Sequence, residues 1–171
     1  MEEKLRDFIY KSFPEAVIKE DNFRNQLSFY IKPEYLVDIC QALLNDIDLD
    51  IRFLSDITSL DWLGHEEEKD GRYEVVYNLY SIKHCFRFFI KIRLPDNNPK
   101  IHTLTNLWAG ANWLEREVFD LMGIHFEGHP DLTKILTADE LKGHPLRKDF
   151  PLTWEQPVFS WNKDNPPEVI K

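Results

Sequence analysis

The sequence has few of the residues that redox and nucleotide-binding sites require. Only two cysteines occur among 171 residues, Cys40 and Cys85, and they form no Cys-x-x-Cys pair. An iron–sulfur cluster usually takes four thiolates, or two thiolates with two histidines, so the chain cannot supply a conventional cysteine-ligated cluster alone. Dinucleotide-binding, P-loop and nucleophile-elbow patterns are also missing. These absences predict that the isolated chain binds no redox cofactor.

Long apolar runs and an excess of positive charge are lacking as well. No segment approaches the roughly 18 apolar residues that cross a bilayer, and the N-terminal sequence MEEK is charged, unlike a signal peptide. The chain carries 21 Lys and Arg against 30 Asp and Glu, a net charge of −9. This charge disfavours binding to nucleic acid and to anionic lipid. We therefore expect a cytosolic protein whose two cysteines are reduced and packed.

Residues 1–122 are predicted to form a compact α+β domain. Apolar residues at helical spacing indicate three helices, over residues 2–12, from Pro33 onward, and over about 112–122. Alternating apolar residues indicate four strands, over residues 25–31, 51–63 (interrupted near Asp56), 73–79 and 86–94. The short connection between the last two strands predicts an antiparallel hairpin. This order predicts an antiparallel or mixed sheet with helices packed mainly on one face.

The last predicted helix carries the clearest local signals. Asn112 is predicted to cap its start, with Glu115 completing a capping box three residues later. Gly123 follows the apolar stripe, where a left-handed residue ends many helices. Arg116 and Asp120 are four residues apart and are predicted to pair on the helix surface.

Residues 123–171 are predicted to be a long, extended, proline-rich segment that binds a partner. They carry six of the ten prolines and three of the six glycines, and proline favours extended backbone. A short helical turn capped by Thr137 is predicted between two Gly-His-Pro sequences. Large aromatic side chains persist at Trp154, Phe159 and Trp161, and such side chains commonly fill pockets in another protein. Composition alone leaves open a second interpretation, in which the segment wraps back on its own domain.

Four side chains near the Gly-His-Pro sequences suggest a metal site: His125, Glu127, His129 and His144. A histidine pair on one helix face would bind metal well, but the adjoining glycine and proline exclude a helix there. The histidines are therefore predicted to form hydrogen bonds within turns. Arg147 and Lys148 form a small basic spot beside Asp149, and an ion pair at the rim of an interface is its simplest interpretation.

A long motif in the second half of the chain resembles a known family. It reads WLEREVFDLMGI at residues 113–124, FEGHPDL at 126–132, IL at 135–136 and GHPLRKDFPL at 143–152. These residues resemble the C subunit of bacterial NADH-quinone oxidoreductase, also called the 30 kDa subunit of respiratory complex I. About forty residues keep a fixed spacing, so a chance match is not expected. Weaker similarity extends the resemblance to most of residues 50–152.

The resemblance assigns the polar, glycine and proline residues of this motif to a partner interface. Its expected members are Glu115, Arg116, Glu117, Asp120, Gly123, Gly128, His129, Pro130, Asp131, Gly143, His144, Pro145, Arg147, Lys148 and Asp149.

The resemblance also implies a scaffold role within a larger enzyme. The family's complex passes electrons from NADH through FMN and iron–sulfur clusters to quinone and couples this transfer to proton pumping. Members of the family hold none of these cofactors, so no catalytic, cofactor-binding or metal-binding residue is expected on this chain. The expected partners are the large D (49 kDa) subunit and the B subunit. The chain would lie on the cytoplasmic side of the bacterial inner membrane, held there by other subunits.

Two other functions remain as alternatives. Related domains occur in energy-converting hydrogenases, although the intact GHPLRKD sequence at residues 143–149 favours the respiratory form. A free-standing metal-dependent enzyme would use His125, His129 and His144.

Overall fold

The computed structural model describes residues 1–151. Its three α-helices are α1 (Glu2–Ser12), α2 (Leu36–Asn45) and α3 (Ala111–Met122), and short 3-10 helices cover Pro33–Tyr35 and Glu66–Asp70. The strands are β1 (Val17–Phe23), β2 (Gln26–Ile31), β3 (Phe53–Asp61), β4 (Tyr73–Ser81), β5 (Phe86–Leu94), β6 (Lys100–His102) and β7 (His125–Glu127). The three predicted helices and four predicted strands are all confirmed.

Five of the strands form one mixed sheet in the order β1-β2-β5-β4-β3. Strands β2 and β5 run parallel, and the other neighbouring strands of this sheet run antiparallel. The β4–β5 hairpin confirms the prediction. A register shift between Leu54 and Asp56 lies at the predicted interruption of β3. Strands β6 and β7 pair in parallel as a separate two-stranded sheet.

The hydrophobic core lies on one side of the five-stranded sheet. Buried apolar residues of all three helices and alternate residues of β2, β4 and β5 form one continuous cluster, as expected for a sheet with one covered face. Its largest fully buried side chains are Tyr73, Tyr77, Phe29, Phe88 and Phe126. The α+β class, the mixed sheet and the packing of helices mainly on one face are therefore confirmed.

Strands β1, β6 and β7 were not predicted from the sequence. Strand β1 reads VIKEDNF and pairs only with β2 at the sheet edge, so its charged residues face water and hide the alternation. Strand β7 has only three residues. Ile124 and Phe126, just after α3, are fully buried in the core. The chain beyond residue 122 therefore continues to pack against the domain.

The C-terminal segment is described only as far as Pro151. The predicted aromatic anchors Trp154, Phe159 and Trp161 lie outside the described residues, and the partner-binding role of residues 123–171 stays a prediction. None of the helices formed by residues 1–151 is long and apolar enough to span a membrane.

Neither cysteine forms a disulfide. Cys40 is buried in the core, where burial raises the pKa of its thiol. Cys85 is exposed next to the β4–β5 turn. The prediction of two packed thiols is therefore right for Cys40 and wrong for Cys85.

Candidate functional site

The motif residues gather around the C-terminal end of α3. Gly123 ends the helix with φ 73° and ψ 27°, and its N–H donates to the carbonyl of Phe119 at 2.8 Å. The predicted left-handed cap is thus confirmed. A Cβ added to Gly123 would collide with the guanidinium of Arg147 and the imidazole of His144. Both the backbone conformation and the close packing therefore require glycine here.

The second Gly-His-Pro sequence binds the free carbonyls at this helix end. His144 Nδ1 lies 2.9 Å from the carbonyl of Asp120, and the Leu146 N–H donates to that of Leu121 at 3.0 Å. Arg147 Nε donates to the Met122 carbonyl at 2.7 Å. The last carbonyls of a helix have no partner within the helix, so residues 144–147 act as its C-terminal cap. Burial is the main cause that lowers the pKa of His144, and it favours the neutral form of the ring.

We expect Gly123→Ala to lower the free energy of unfolding by about 2 kcal/mol, because it adds left-handed strain and displaces the His144 and Arg147 contacts. Gly110 at the other end of α3 is the matched control, since it has φ −65° and open space where a Cβ would lie. Urea denaturation of both alanine variants measures the difference. Equal stability of the two variants would contradict the packing described for Gly123.

Lys148 and Asp149 are held by a buried ion pair at the ends of β3 and β4. Arg72 donates from Nε and Nη2 to both carboxylate oxygens of Asp61, at 3.0 and 2.9 Å. The Lys148 N–H donates to Asp61 at 2.9 Å, and Asp149 lies 2.8 Å from Arg72 Nη2. The predicted ion pair within residues 147–149 is therefore wrong. Asp149 pairs with Arg72, and Arg147 faces the helix end.

Asp120 is fully buried and anchors the loop that follows the first Gly-His-Pro sequence. Its carboxylate accepts the backbone N–H groups of Ile135, Leu136 and Thr137, at 2.8–3.1 Å, and the Thr137 hydroxyl. Burial by itself raises the pKa of Asp120, but these four hydrogen bonds outweigh it and lower the pKa. Thr137 therefore contacts Asp120 instead of capping a helical turn.

The predicted surface pair between Arg116 and Asp120 is also wrong. Arg116 contacts the loop that Asp120 also binds, and it donates to the carbonyl and the hydroxyl of Thr133 at 3.1 and 2.7 Å. Its guanidinium covers the ring of Trp113 at 4.9 Å. One helix thus holds residues 133–137 from two positions, through a buried carboxylate and through a surface arginine.

Glu115 is the second fully buried carboxyl group of α3. Its Oε1 accepts the Leu104 N–H at 2.7 Å, and its Oε2 accepts the Thr103 hydroxyl. The predicted capping box is wrong, because Gly110 caps α3 and Glu115 points into the domain. Burial raises the pKa of Glu115 to about 7, although the bonds from Thr103 and Leu104 lower it. Glu115 accepts two hydrogen bonds and Asp120 accepts four, so the charged form of Glu115 is less well stabilised against burial.

The first Gly-His-Pro sequence packs beside Glu115. The Asp131 N–H donates to His129 Nδ1 at 3.0 Å, so Nε2 carries the proton and faces the Asn112 carbonyl at 3.2 Å. Nε2 also lies 4.0 Å from Glu115 Oε2. Gly128 has φ 82°, as a tight turn before the histidine requires. The His129 ring thus bonds within its own turn, as predicted, whereas the His144 ring bonds the end of α3.

The side chains considered for a metal site do not converge. Glu127 pairs with Lys100 at 2.7 Å, His125 is exposed, and His129 and His144 each bond a separate backbone carbonyl. Within residues 1–151, no group of three or more His, Cys, Asp or Glu side chains is arranged to hold a metal ion.

Three apolar side chains of the motif are exposed, and none of them is among the predicted interface residues. Trp113, Leu136 and Leu146 are 60–63% exposed, while the polar motif residues beside them are engaged in the contacts above. Of the other expected interface residues, Glu117, Pro130, Asp131 and Gly143 are exposed and Pro145 is half-buried. The backbone N–H groups of Leu136 and Leu146 bond to the adjacent residues Asp120 and Leu121 of α3. Exposed apolar side chains that lie together are typical of an interface with another protein. The apolar residues of the motif, which stand between its charged residues, could have suggested this surface from the sequence.

Solved structures with this architecture indicate the class of protein. A trypsin-resistant fragment of Nqo5 has a TM-score of 0.63 and 33% sequence identity, covering 77% of this chain and 98% of that chain. A chain of the membrane-bound sulfane sulfur reductase, an archaeal respiratory membrane complex, has a TM-score of 0.72 and 25% identity, covering 88% and 86%. This fold is therefore shared with a chain of an archaeal respiratory membrane complex.

The family follows from the sequence comparisons. The family described as the respiratory-chain NADH dehydrogenase 30 kDa subunit matches residues 29–156, and the chain belongs to this family. The C subunit of the NADH-quinone oxidoreductase of Roseiflexus sp. (strain RS-1) is 42% identical over 153 residues, which are 90% of this chain and 86% of that protein.

Proposed function

We propose that the chain is a scaffold subunit in the peripheral arm of an NADH:quinone oxidoreductase. The observation that carries the proposal is the direction of the motif residues. Glu115 points inward to Leu104, while the contacts of Asp120, His144 and Arg147 hold residues 135–147 against α3. This leaves the apolar side chains Trp113, Leu136 and Leu146 exposed beside them. The motif therefore builds a rigid surface for another subunit.

The buried ionisable groups support a structural role over a catalytic one. A catalytic acid or base must reach a substrate. The carboxylates of Asp120 and Asp61 instead accept hydrogen bonds from backbone N–H groups and from Arg72. In the proposed assembly, FMN and the iron–sulfur clusters are held by partner subunits. Electrons from NADH pass through them to quinone, and proton pumping is coupled to this transfer.

The proposed partners are the large D subunit and the B subunit on the cytoplasmic side of the membrane. Trp113, Leu136 and Leu146 would contact the D subunit, and residues 152–171 would continue along it. The family match favours this assembly over a hydrogenase. A free-standing metal enzyme has no support, because its four candidate ligands do not come together in the described structure.

A chain that ends after Pro151 is expected to keep a near-native melting temperature and to bind the D subunit more weakly. Residues 1–151 form one continuous hydrophobic core of helices and sheet, whereas large aromatic side chains often carry much of an interface's energy. Calorimetry and co-purification with the D subunit measure the two quantities. If the shortened chain binds as tightly as the full chain, Trp154, Phe159 and Trp161 are not interface anchors.

A variant of the exposed apolar surface tests its contribution to binding separately from that of residues 152–171. In the full chain, Leu136→Asp should weaken binding to the D subunit about tenfold or more, because it places a charge on the apolar surface. Ile82→Asp is the matched control, since Ile82 is similarly exposed, at 66%, in the β4–β5 turn. Equal binding by both variants would place the interface elsewhere.

A further inference from the structure

A cleft of about 390 Å³ lies between the end of β3 and residues 146–148. Leu60 of β3 and Leu146 of the second segment both line it, and they are 41% and 60% exposed. Met122 at the end of α3 and Trp62 line it as well. The volume falls in the range of about 300–1,000 Å³ that is common for ligand pockets. The cleft can therefore take in a large side chain of another molecule.

Hydrogen bonds within the chain hold the two sides of this cleft together. The Leu146 N–H donates to the carbonyl of Leu121 in α3 at 3.0 Å. The Lys148 N–H donates to the carboxylate of Asp61 in β3 at 2.9 Å. Residues 146–148 are thus fixed both to a helix and to a strand of the domain. A cleft that is already formed costs less to fill, because fewer groups lose conformational freedom on binding.

The polar groups that line the cleft are engaged within the chain. The Asp61 carboxylate belongs to the buried ion pair described above, and Lys148 Nζ lies 3.4 Å from the Leu63 carbonyl. The His65 ring packs edge-on against the Trp62 ring, with 5.8 Å between their centres. With one carboxylate and one amine, the cleft has no excess charge that would select a charged partner. Its exposed leucines are the groups that gain most from being covered.

The position of the cleft indicates what fills it. Leu146 belongs both to the cleft and to the exposed apolar surface with Trp113 and Leu136, so a subunit that covers this surface also reaches the cleft. Phe150 and Pro151, the last described residues, line a different cavity. A net charge of −9 disfavours contact with a second copy of the chain. The partner that covers the apolar surface is therefore the expected occupant.

We propose that the subunit covering this apolar surface inserts an aliphatic or aromatic side chain into the cleft between Leu60 and Leu146. The inference rests on the function proposed above, in which that subunit is D, and it adds an anchoring site to it. Side chains seated in a well-packed pocket commonly carry much of the binding energy of an interface. The cleft thus fixes the position of the partner on the surface.

Two variants of Leu60 in the full chain test the insertion. Leu60→Asp places a charge in the cleft, and Leu60→Trp fills the cleft but keeps it apolar. Each should weaken binding to the D subunit about tenfold or more, since a flat apolar contact tolerates tryptophan and an inserted side chain does not. Phe53→Asp is the matched control, because Phe53 lies at the other end of β3 and is 48% exposed. Melting temperatures verify that the variants fold.

Photo-crosslinking identifies the occupant without relying on either Leu60 variant. The full chain carries p-benzoylphenylalanine in place of His65, which is exposed and lines the cleft, in cells that assemble it with its partners. The crosslinked peptides are then sequenced. We expect a D-subunit segment with an aliphatic or aromatic residue at the crosslink, and about tenfold less of it in a chain that also carries Leu60→Trp. A crosslinker at Phe53 measures the background.

The cleft and the proposed function can fail separately. If Leu136→Asp weakens binding while both Leu60 variants bind like the wild-type chain, the cleft inference is wrong and the proposed interface stands. If Leu136→Asp also binds like the wild-type chain, the proposed interface fails with it. Crosslinks from His65 to residues 152–171 of the same chain, to a second copy or to a different subunit would reject the inference, as would no crosslink above the Phe53 background.

Discussion

Replacing Arg72 by methionine is expected to lower the free energy of unfolding by about 3–5 kcal/mol, because it leaves the carboxylate of Asp61 buried without its cation. The Arg72 side chain is 6% exposed and that of Asp61 2%. Arg72 also bonds Asp96 at 2.9 Å and Asp149 at 2.8 Å, and it covers the Tyr73 ring at 4.9 Å. Methionine has a similar length and fills the space, so the loss reports the charge and the hydrogen bonds.

Arg52→Met is the matched control for this variant. Arg52 pairs with Asp50 at 2.8 Å, but its side chain is 62% exposed, so we expect a change of less than about 1 kcal/mol. Urea denaturation at pH 7 measures both variants. A loss below about 1 kcal/mol for Arg72→Met would show that the ion pair does not hold Lys148 and Asp149 in place.

The pH dependence gives a second test of the same ion pair. Burial raises the pKa of Asp61, but bonds from Arg72, Lys148 and Leu63 lower it to about 2, against an ordinary value of 3.8. A carboxyl group with a lowered pKa stabilises the fold above pH 3.8, and this contribution is lost as the pH falls towards 2. The difference in stability between the wild-type chain and Arg72→Met should therefore shrink below about pH 4.

The elements that could be predicted from the sequence are those with strong local signals. Strand β5 alternates clearly, with Phe88, Ile90 and Ile92 buried in the core. The end of α3 was predicted because only glycine adopts the left-handed conformation easily. Strand β1 was missed because an edge strand with one neighbour needs no apolar alternation.

The errors at the candidate site have one physical cause, which is contact between distant parts of the chain. Spacing alone allows an ion pair between Asp120 and Arg116. In the structure the Asp120 carboxylate instead accepts four hydrogen bonds from residues 135–137. Glu115 could cap its own helix, but Thr103 and Leu104 lie closer once α3 packs. Helix spacing defines which residues share a face, and it cannot show which loop returns to that face.

The stability of the wild-type chain is expected to fall by about 3 kcal/mol between pH 4.5 and pH 7 through Glu115 alone. Burial raises the pKa of this group from 4.5 to about 7, and each tenfold change in proton affinity corresponds to about 1.4 kcal/mol. A carboxyl group with a raised pKa binds its proton more tightly in the folded state. The folded state is therefore favoured at low pH, and this advantage is lost as the pH rises through 7.

Glu115→Gln removes this titration and should flatten the curve of unfolding free energy against pH. The amide keeps the size of the side chain and an oxygen for the Leu104 N–H, which donates to Glu115 at 2.7 Å. The exposed Glu117 on the same helix is the matched control, because Glu117→Gln should leave the slope unchanged. Urea denaturation between about pH 4.5 and 8.5 measures all three chains.

The neighbours of Glu115 determine how the result is interpreted. His129 Nε2 lies 4.0 Å away, Thr103 contacts the carboxyl group, and Tyr77 is fully buried close by, with its hydroxyl lacking a hydrogen-bond partner in the described structure. His129 is present in both the wild-type and Gln chains, so the difference between their curves isolates Glu115. Parallel curves would mean that the carboxylate is stabilised in the fold, by a cation or by water, and that its burial does not oppose its charge.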